Sequence, residues 1–93
     1  MIVGIVYCEI YIPHVGSLKE KRSITNSLKS KIQSRFKASV AEVDFLDKWQ
    51  RAAFGISMVS NNKTYIDAAF DRLESFFNQE HRIMVSRWDV RFT

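Results

Sequence analysis

The stretch "IVYCEIYIPHVGSLKEK" (residues 5–21) holds the end of one predicted element and the beginning of the next. Its first half belongs to a run with a period of two at 2–12. This run predicts a β-strand with Val6, Cys8, Ile10 and Ile12 on one side and Tyr7, Glu9 and Tyr11 on the other. Pro13 and Gly16 end that strand. Ser17, followed three residues later by Glu20, forms a capping box, so we predict that a helix begins here.

Helical and strand periods then follow one another along the chain. The first helix has an apolar stripe of Leu18, Ile24, Leu28, Ile32 and Phe36. Alternation predicts strands at 39–46 and 52–60, joined by a hairpin loop at Asp47–Arg51. In the first of these strands, Ala41, Val43 and Phe45 alternate with Glu42 and Asp44. A second helix begins at Asn61 or Asn62, and its stripe is Tyr65, Ile66, Ala69, Phe70, Leu73, Phe76 and Phe77.

The last predicted strand, at 83–92, completes the fold. It places Met84, Trp88, Val90 and Phe92 on one side and Arg87, Asp89 and Arg91 on the other. The order β-α-β-β-α-β predicts a ferredoxin-like α+β sandwich, in which both helices cover one face of a four-stranded antiparallel sheet. Ninety-three residues suit one domain spanning residues 1–93.

This topology predicts that several connections share one rim of the molecule. The turn before the first helix, the hairpin between strands two and three and the end of the second helix all lie at the same end. The predicted rim contains His14, 17–22, 44–51 and 79–82.

Composition predicts a soluble cytoplasmic protein with a packed core. Apolar residues make up 46% of the chain, and the single cysteine, Cys8, excludes a disulfide framework within one chain. The apolar N-terminal run has no basic lead-in, contains Glu9 and ends at Pro13, so we predict neither a signal peptide nor a membrane span. A net charge of +4 is compatible with an acidic partner.

Four short motifs resemble those of a known family. They are "SLKEKR" at Ser17–Arg22, "AEVD" at Ala41–Asp44, "DKWQRA" at Asp47–Ala52 and "VSNN" at Val59–Asn62. Together they resemble the YlxP-like family of small uncharacterised bacterial proteins. The resemblance implies a ferredoxin-like fold without an established activity. Genes of that family often lie beside those for translation initiation and ribosome-binding factors, which implies association with RNA or the ribosome.

The first helix is strongly basic. Residues 17–37 contain seven of the fourteen Lys and Arg residues and one acid, a net charge of +6, so the rest of the chain carries −2. One interpretation is a phosphate-facing surface with Lys19, Arg22 and Lys29 as contacts. The alternative is a solvated face attracted to the acidic second helix.

Lys21 differs from the other cations because helical spacing puts it on the apolar stripe. We expect it to form an ion pair with Glu42, Asp44 or Asp47 near the hairpin. The alternative is an anion-binding or catalytic lysine, although no partner base is evident, so Lys21 also stays among the candidate contacts.

The hairpin residues Trp49, Gln50 and Arg51 are further candidate contacts for nucleic acid or a partner. A loop tryptophan offers a stacking surface, and Gln and Arg donate hydrogen bonds to bases or phosphates. The alternative is that Trp49 folds back over the end of the core.

The uncovered sheet face is a candidate dimer surface formed by Tyr7, Tyr11, Arg87 and Arg91. The same face resembles that of an RNA-recognition motif. However, the third strand shows Ala53, Gly55 and Ser57 where that motif requires aromatic residues, which disfavours it.

No pattern indicates an enzyme. His14 and His81 are isolated, and there is no glycine-rich phosphate loop, G-x-S-x-G or pair of catalytic carboxylates, so we predict no metal and no cofactor. The first hypothesis is therefore a non-enzymatic module that binds RNA or a ribosomal assembly through the rim. The second is a protein-interaction module or homodimer, and the third a small-molecule-binding or enzymatic domain.

Overall fold

The computed structural model describes residues 1–93 and has the predicted order of elements. They are β1 (Ile2–Tyr11), α1 (Leu18–Phe36), β2 (Ser39–Asp44), β3 (Arg51–Ser60), α2 (Lys63–Gln79) and β4 (Met84–Phe92). The strands form one antiparallel sheet in the order β2-β3-β1-β4, and the two helices bury their apolar stripes against it. The ferredoxin-like α+β prediction is confirmed.

The core lies between the helices and the inward side of β1 and β3. Cross-strand pairing sets Val6 opposite Ile56 and Cys8 opposite Phe54, and all four are at most 1% exposed. The ring of Phe77, from α2, lies at the centre of an aromatic cluster with Phe54, Phe76 and Trp88 at centroid distances of 6.0, 5.7 and 5.6 Å. These contacts fix α2 on the sheet.

Gly4 allows α2 to approach β1 closely. A Cβ atom at this position would lie 2.5 Å from Ile66 Cγ2 and 2.7 Å from Phe70 Cε2, which is inside van der Waals contact. The absence of a side chain at Gly4 therefore sets the spacing between sheet and helix.

Hydrogen bonds cap the start of both helices. Ser17 Oγ accepts from Glu20 N at 3.1 Å, while Glu20 Oε2 accepts from Gly16 N at 3.4 Å. The Glu20 contact falls one residue earlier than in a standard capping box. At α2, Asn62 Oδ1 accepts from Thr64 N at 2.9 Å, which settles Asn62 as the cap.

Two β-bulges change the predicted side-chain orientations. Glu9 pairs with Arg87 but Ile10 pairs with Val85, so Ser86 is the extra residue in β4. Val85 thus packs against the core and Met84 is 62% exposed, and the prediction that Met84 shares a side with Trp88 is wrong.

The second bulge lies in β2. Glu42 pairs with Phe54 and Asp44 with Ala53, which leaves Val43 as the extra residue. Val43 is 49% exposed on the side away from the helices, whereas the Glu42 carboxylate points towards α1. The strand ends before Phe45, whose φ of 60° is left-handed.

Candidate functional site

The predicted rim is present, and the hairpin loop is its centre. Ile12 N donates to Gln50 O at 2.8 Å, and Gln50 Nε2 donates to Pro13 O and Val15 O at 3.4 Å each. The hairpin is thereby joined to the connection between β1 and α1. On the other side of that connection, His14 and Glu20 line a depression of about 180 Å³ together with residues of the α2–β4 turn, His81 and Arg82.

Lys21 joins α1 to the hairpin from inside the molecule. Its side chain is 1% exposed, and its Nζ lies 2.9 Å from Glu42 Oε2 and donates to Phe45 O at 2.6 Å. The predicted structural ion pair is confirmed. Lys21 Nζ and Glu42 Oε2 are close enough for an ion pair, but their geometry is not that of a hydrogen bond. The attraction between them is therefore mainly ionic. Because Lys21 is buried and paired, we remove it from the candidate contact surface.

The Lys21 contact fixes the entry to the hairpin loop. Phe45 O, which accepts from Lys21, also accepts from Lys48 N at 3.0 Å, and Asp44 Oδ1 accepts from Phe45 N at 2.8 Å. These bonds hold Phe45 in its left-handed conformation, which a bulky residue adopts only at an energetic cost. The path of the hairpin therefore depends on a residue of α1.

The other cations of residues 17–37 form no ion pair in the structure. Lys19 and Arg22 are exposed, and Lys29 is half-buried. At about 100° per residue, Arg22 and Lys29 project within about 20° of each other, and Lys19 lies about 15 Å from Lys29 along the axis. We call Lys19, Arg22 and Lys29 the α1 cation strip.

No ion pair joins this strip to the acidic second helix. Only Arg35 among the α1 cations stacks on α2, with its guanidinium 6.0 Å from the centre of the Phe76 ring. Arg35 also lines the groove between the helices with Asp71 and Arg72. None of the three residues of the α1 cation strip therefore has an acidic side chain of α2 as a close partner.

Trp49 does not cover the core. Its side chain is 51% exposed and lies beside a shallow depression of about 450 Å³. The residues that line this Trp49 depression are Tyr11, Lys48, Trp49, Gln50 and Arg51. Tyr11 and Arg51 are directly opposite each other in the β1–β3 ladder, which brings the end of the open sheet face next to the hairpin.

A network of charged side chains crosses the open face. Arg51 Nη2 donates to Glu9 Oε1 at 3.0 Å, and Arg87 Nη1 lies 3.5 Å from Glu9 Oε2. Arg87 Nε also donates to Asp89 Oδ2 at 2.6 Å, which raises the pKa of the guanidinium. Partial desolvation, with the nearby Glu9 carboxylate, raises the pKa of Tyr7. Arg51 and Arg87 are thus partly neutralised within the chain.

Apolar side chains surround this network. The exposed apolar residues on the open face and its adjoining end are Ile5, Tyr11, Val43, Val59 and Met84, which are between 40% and 62% exposed. Arg91 is exposed and unpaired next to Ile5. Tyr7 is half-buried beneath the Arg87 guanidinium, 5.2 Å from its ring centre.

The predicted contact residues other than Lys21 therefore occupy two surfaces, which adjoin where α1 begins. The α1 cation strip lies in the helical layer, whereas Trp49 and Arg51 lie beside the open sheet face. Sequence reasoning assigned Tyr11 to the dimer face and overlooked Lys48. The signal was available in the topology, because β1 pairs with β3 in this fold and the last residue of β1, Tyr11, then lies beside Arg51 and the Trp49 hairpin.

The structure offers few groups for metal binding or nucleophilic chemistry. No group of three or more His, Cys, Asp or Glu side chains is arranged to hold a metal ion. Burial raises the pKa of the Cys8 thiol to about 12, so this residue is a core side chain and not a nucleophile. None of the helices has both the length and the apolar character needed to cross a membrane.

Comparison with known proteins gives one consistent relationship. The family described as "Protein of unknown function (DUF503)" matches residues 3–90. The chain is 33% identical over 90 residues to "Uncharacterized protein YlxP" of Bacillus subtilis (strain 168), an alignment that covers 92% of this chain and 98% of that protein. The YlxP-like resemblance of the four sequence motifs is confirmed, and the protein belongs to the DUF503 family of proteins of unknown function.

Proposed function

We propose that the protein is a non-enzymatic module that binds RNA, free or within a ribosomal assembly, through the α1 cation strip and the adjoining rim. The observation that carries this proposal is that Lys19, Arg22 and Lys29 share one side of α1 and have no anionic partner. Cations that approach phosphates release condensed counterions, which supplies most of the free energy of non-specific RNA binding.

The distribution of charge supports a binding role over a role in solubility. Residues 17–37 carry +6 while the rest of the chain carries −2, so the positive charge is concentrated on one element. Lys19 also lies in the first turn of α1, near the positive end of the helix dipole. A cation there lowers the stability of the helix by roughly a few tenths of a kcal/mol. An anionic ligand would offset that cost.

The first prediction concerns the salt dependence of RNA affinity. Each phosphate contact contributes about 0.7 to the slope of log K against log salt for a single strand. Arg22→Ala is therefore expected to reduce the magnitude of the slope by about 0.7, and Arg22→Ala with Lys29→Ala by about 1.4. Fluorescence anisotropy with a labelled RNA at several salt concentrations measures both values.

The matched control is Lys63→Ala on α2. This variant removes the same charge, but Lys63 already pairs with Asp67 at 3.1 Å and lies above the Phe92 ring. We expect it to keep the wild-type slope. Equal slopes for Arg22→Ala, Lys63→Ala and the wild type would contradict the proposed role of the α1 cation strip.

The exposed apolar side chains of the open face favour a second candidate function, a homodimer through this face. Ile5, Val43 and Val59 are 40%, 49% and 62% exposed and no helix covers them. A second copy would remove this apolar area from water.

The dimer candidate predicts that the measured mass depends on concentration. Light scattering over a dilution series is expected to show dimers that Ile5→Lys converts to monomers, because the new charge would be buried in the interface. Tyr65→Lys, at a 55% exposed position on α2, is expected to leave the dimer intact. A monomer at every concentration would exclude this candidate.

A further inference from the structure

We infer that the Trp49 depression binds one unstacked base of a single-stranded RNA, an inference that rests on the proposed RNA-binding function. The two exposed aromatic rings of Trp49 and Tyr11 come from different elements and line the same depression. Base–aromatic stacking needs such rings, and it requires a base that is free of a duplex.

The charge of the depression matches a nucleotide. None of its five lining residues is acidic, and two of them, Lys48 and Arg51, are cations. Arg51 forms an ion pair with Glu9, with 3.0 Å between Nη2 and Oε1, whereas Lys48 has no ion pair and is exposed. A base on the rings would place its phosphate near Lys48, so one ligand would satisfy both features.

The support of the loop favours a prearranged stacking surface. Residues on both sides of Trp49 are held, because Lys48 N donates to Phe45 O and Gln50 Nε2 donates to Pro13 O and Val15 O. Lys21 anchors the same Phe45 carbonyl from the core. Because the loop is already ordered, it loses little conformational entropy when RNA binds, which favours affinity.

The position of the depression extends the RNA path beyond α1. The hairpin lies between the start of α1 and the open sheet face, since it contacts both the β1–α1 connection and the end of β1. A strand whose phosphates follow the α1 cation strip would reach Trp49 around this rim. A rigid duplex has no free base to offer there.

The test uses the fluorescence of Trp49 alone. Trp88, the second tryptophan, packs in the aromatic cluster and is replaced conservatively by Trp88→Phe. In that background, a mixed-sequence single-stranded RNA of about ten nucleotides is titrated, and the blunt-ended duplex of the same strand with its complement is titrated separately. Anisotropy of the labelled RNAs gives the affinities independently. The expected result is quenching of Trp49 emission by the single strand and not by the duplex.

Variants separate ring stacking from simple apolar contact. Trp49→Ala is expected to weaken single-strand affinity about five- to 150-fold, and Trp49→Phe to retain most of it. Leu46→Ala is the control, because Leu46 is a 60% exposed apolar residue of the same loop that does not line the depression. It is expected to bind as the wild type does.

Each other outcome overturns a defined part of the proposal. RNA binding by anisotropy with unchanged Trp49 emission and an unaffected Trp49→Ala variant would overturn the stacking site and leave the proposed function standing. Equal quenching by the duplex would overturn the single-strand requirement. Emission that changes with protein concentration alone would assign the depression to a second copy of the chain. Absence of RNA binding at low salt would overturn the proposed function, and the stacking site with it.

Discussion

Replacing Lys21 with alanine is expected to lower the free energy of unfolding by about 3–5 kcal/mol. The Glu42 side chain is 9% exposed, and Lys21 is its ion-pair partner at 2.9 Å, so the substitution leaves a carboxylate buried without a counterion. It also removes the lysine donor to Phe45 O, which weakens the hairpin entry. Urea unfolding followed by circular dichroism measures the change.

Two further variants identify the cause of this loss. Lys21→Met combined with Glu42→Leu removes both charges, and we expect it to recover most of the lost stability because no unpaired charge remains. Arg22→Ala, one residue further along α1 and exposed, is expected to stay within about 0.5 kcal/mol of the wild type. A Lys21→Ala protein as stable as Arg22→Ala would contradict the structural role of the buried pair.

Gly4→Ala is expected to destabilise the protein by about 1–3 kcal/mol. The added methyl group would meet Ile66 Cγ2 at 2.5 Å and Phe70 Cε2 at 2.7 Å, so α2 or the two side chains must shift. The sign of the change in unfolding free energy is informative, because alanine normally stabilises a strand interior relative to glycine. The same urea titration gives the difference.

Gly16→Ala is the matched control for Gly4→Ala. At Gly16 the nearest atom to an added Cβ is the flexible Glu20 Oε1 at 3.8 Å, and no glycine of the chain has a positive φ. Reduced entropy of the unfolded chain then favours a gain of about 0.4–1 kcal/mol. Equal effects of the two substitutions would show that packing between α2 and β1 is not tight at Gly4.

The order of elements was predictable because local signals agree with one another. The alternation in β1, the turn residues Pro13 and Gly16 and the cap at Ser17 lie next to each other in sequence, and each has one structural interpretation. The position of Lys21 on the apolar stripe likewise follows from helical spacing alone. These features depend on neighbours within a few residues.

Features that depend on register could not be predicted. Glu42 lies opposite the buried Phe54 and faces α1, whereas the bulge at Val43 turns Asp44 to the exposed side, which leaves Glu42 as the partner of Lys21. The bulge at Ser86 turns Met84 outwards. An extra residue in one strand inverts the alternation beyond it, and nothing in either local sequence marks that residue.

The division of the candidate site into two surfaces could not be predicted from the sequence either. Topology placed the start of α1 and the Trp49 hairpin at one end of the molecule, which the contacts of Gln50 with Pro13 and Val15 confirm. It did not specify that Trp49 lies towards the open face, next to Tyr11. Side-chain directions in a loop have no period, so they follow only from the folded contacts.

The central claim is that the protein binds RNA through the α1 cation strip. The most direct test captures the partners of the tagged protein from a cell lysate with and without nuclease. The capture is made at about 50 mM and about 200 mM salt, a range over which phosphate contacts weaken steeply. We predict that RNA is recovered at the lower salt, largely lost at the higher salt, and reduced by combining Arg22→Ala with Lys29→Ala. Absence of RNA at the lower salt, or recovery that neither salt nor the double variant changes, would contradict the claim.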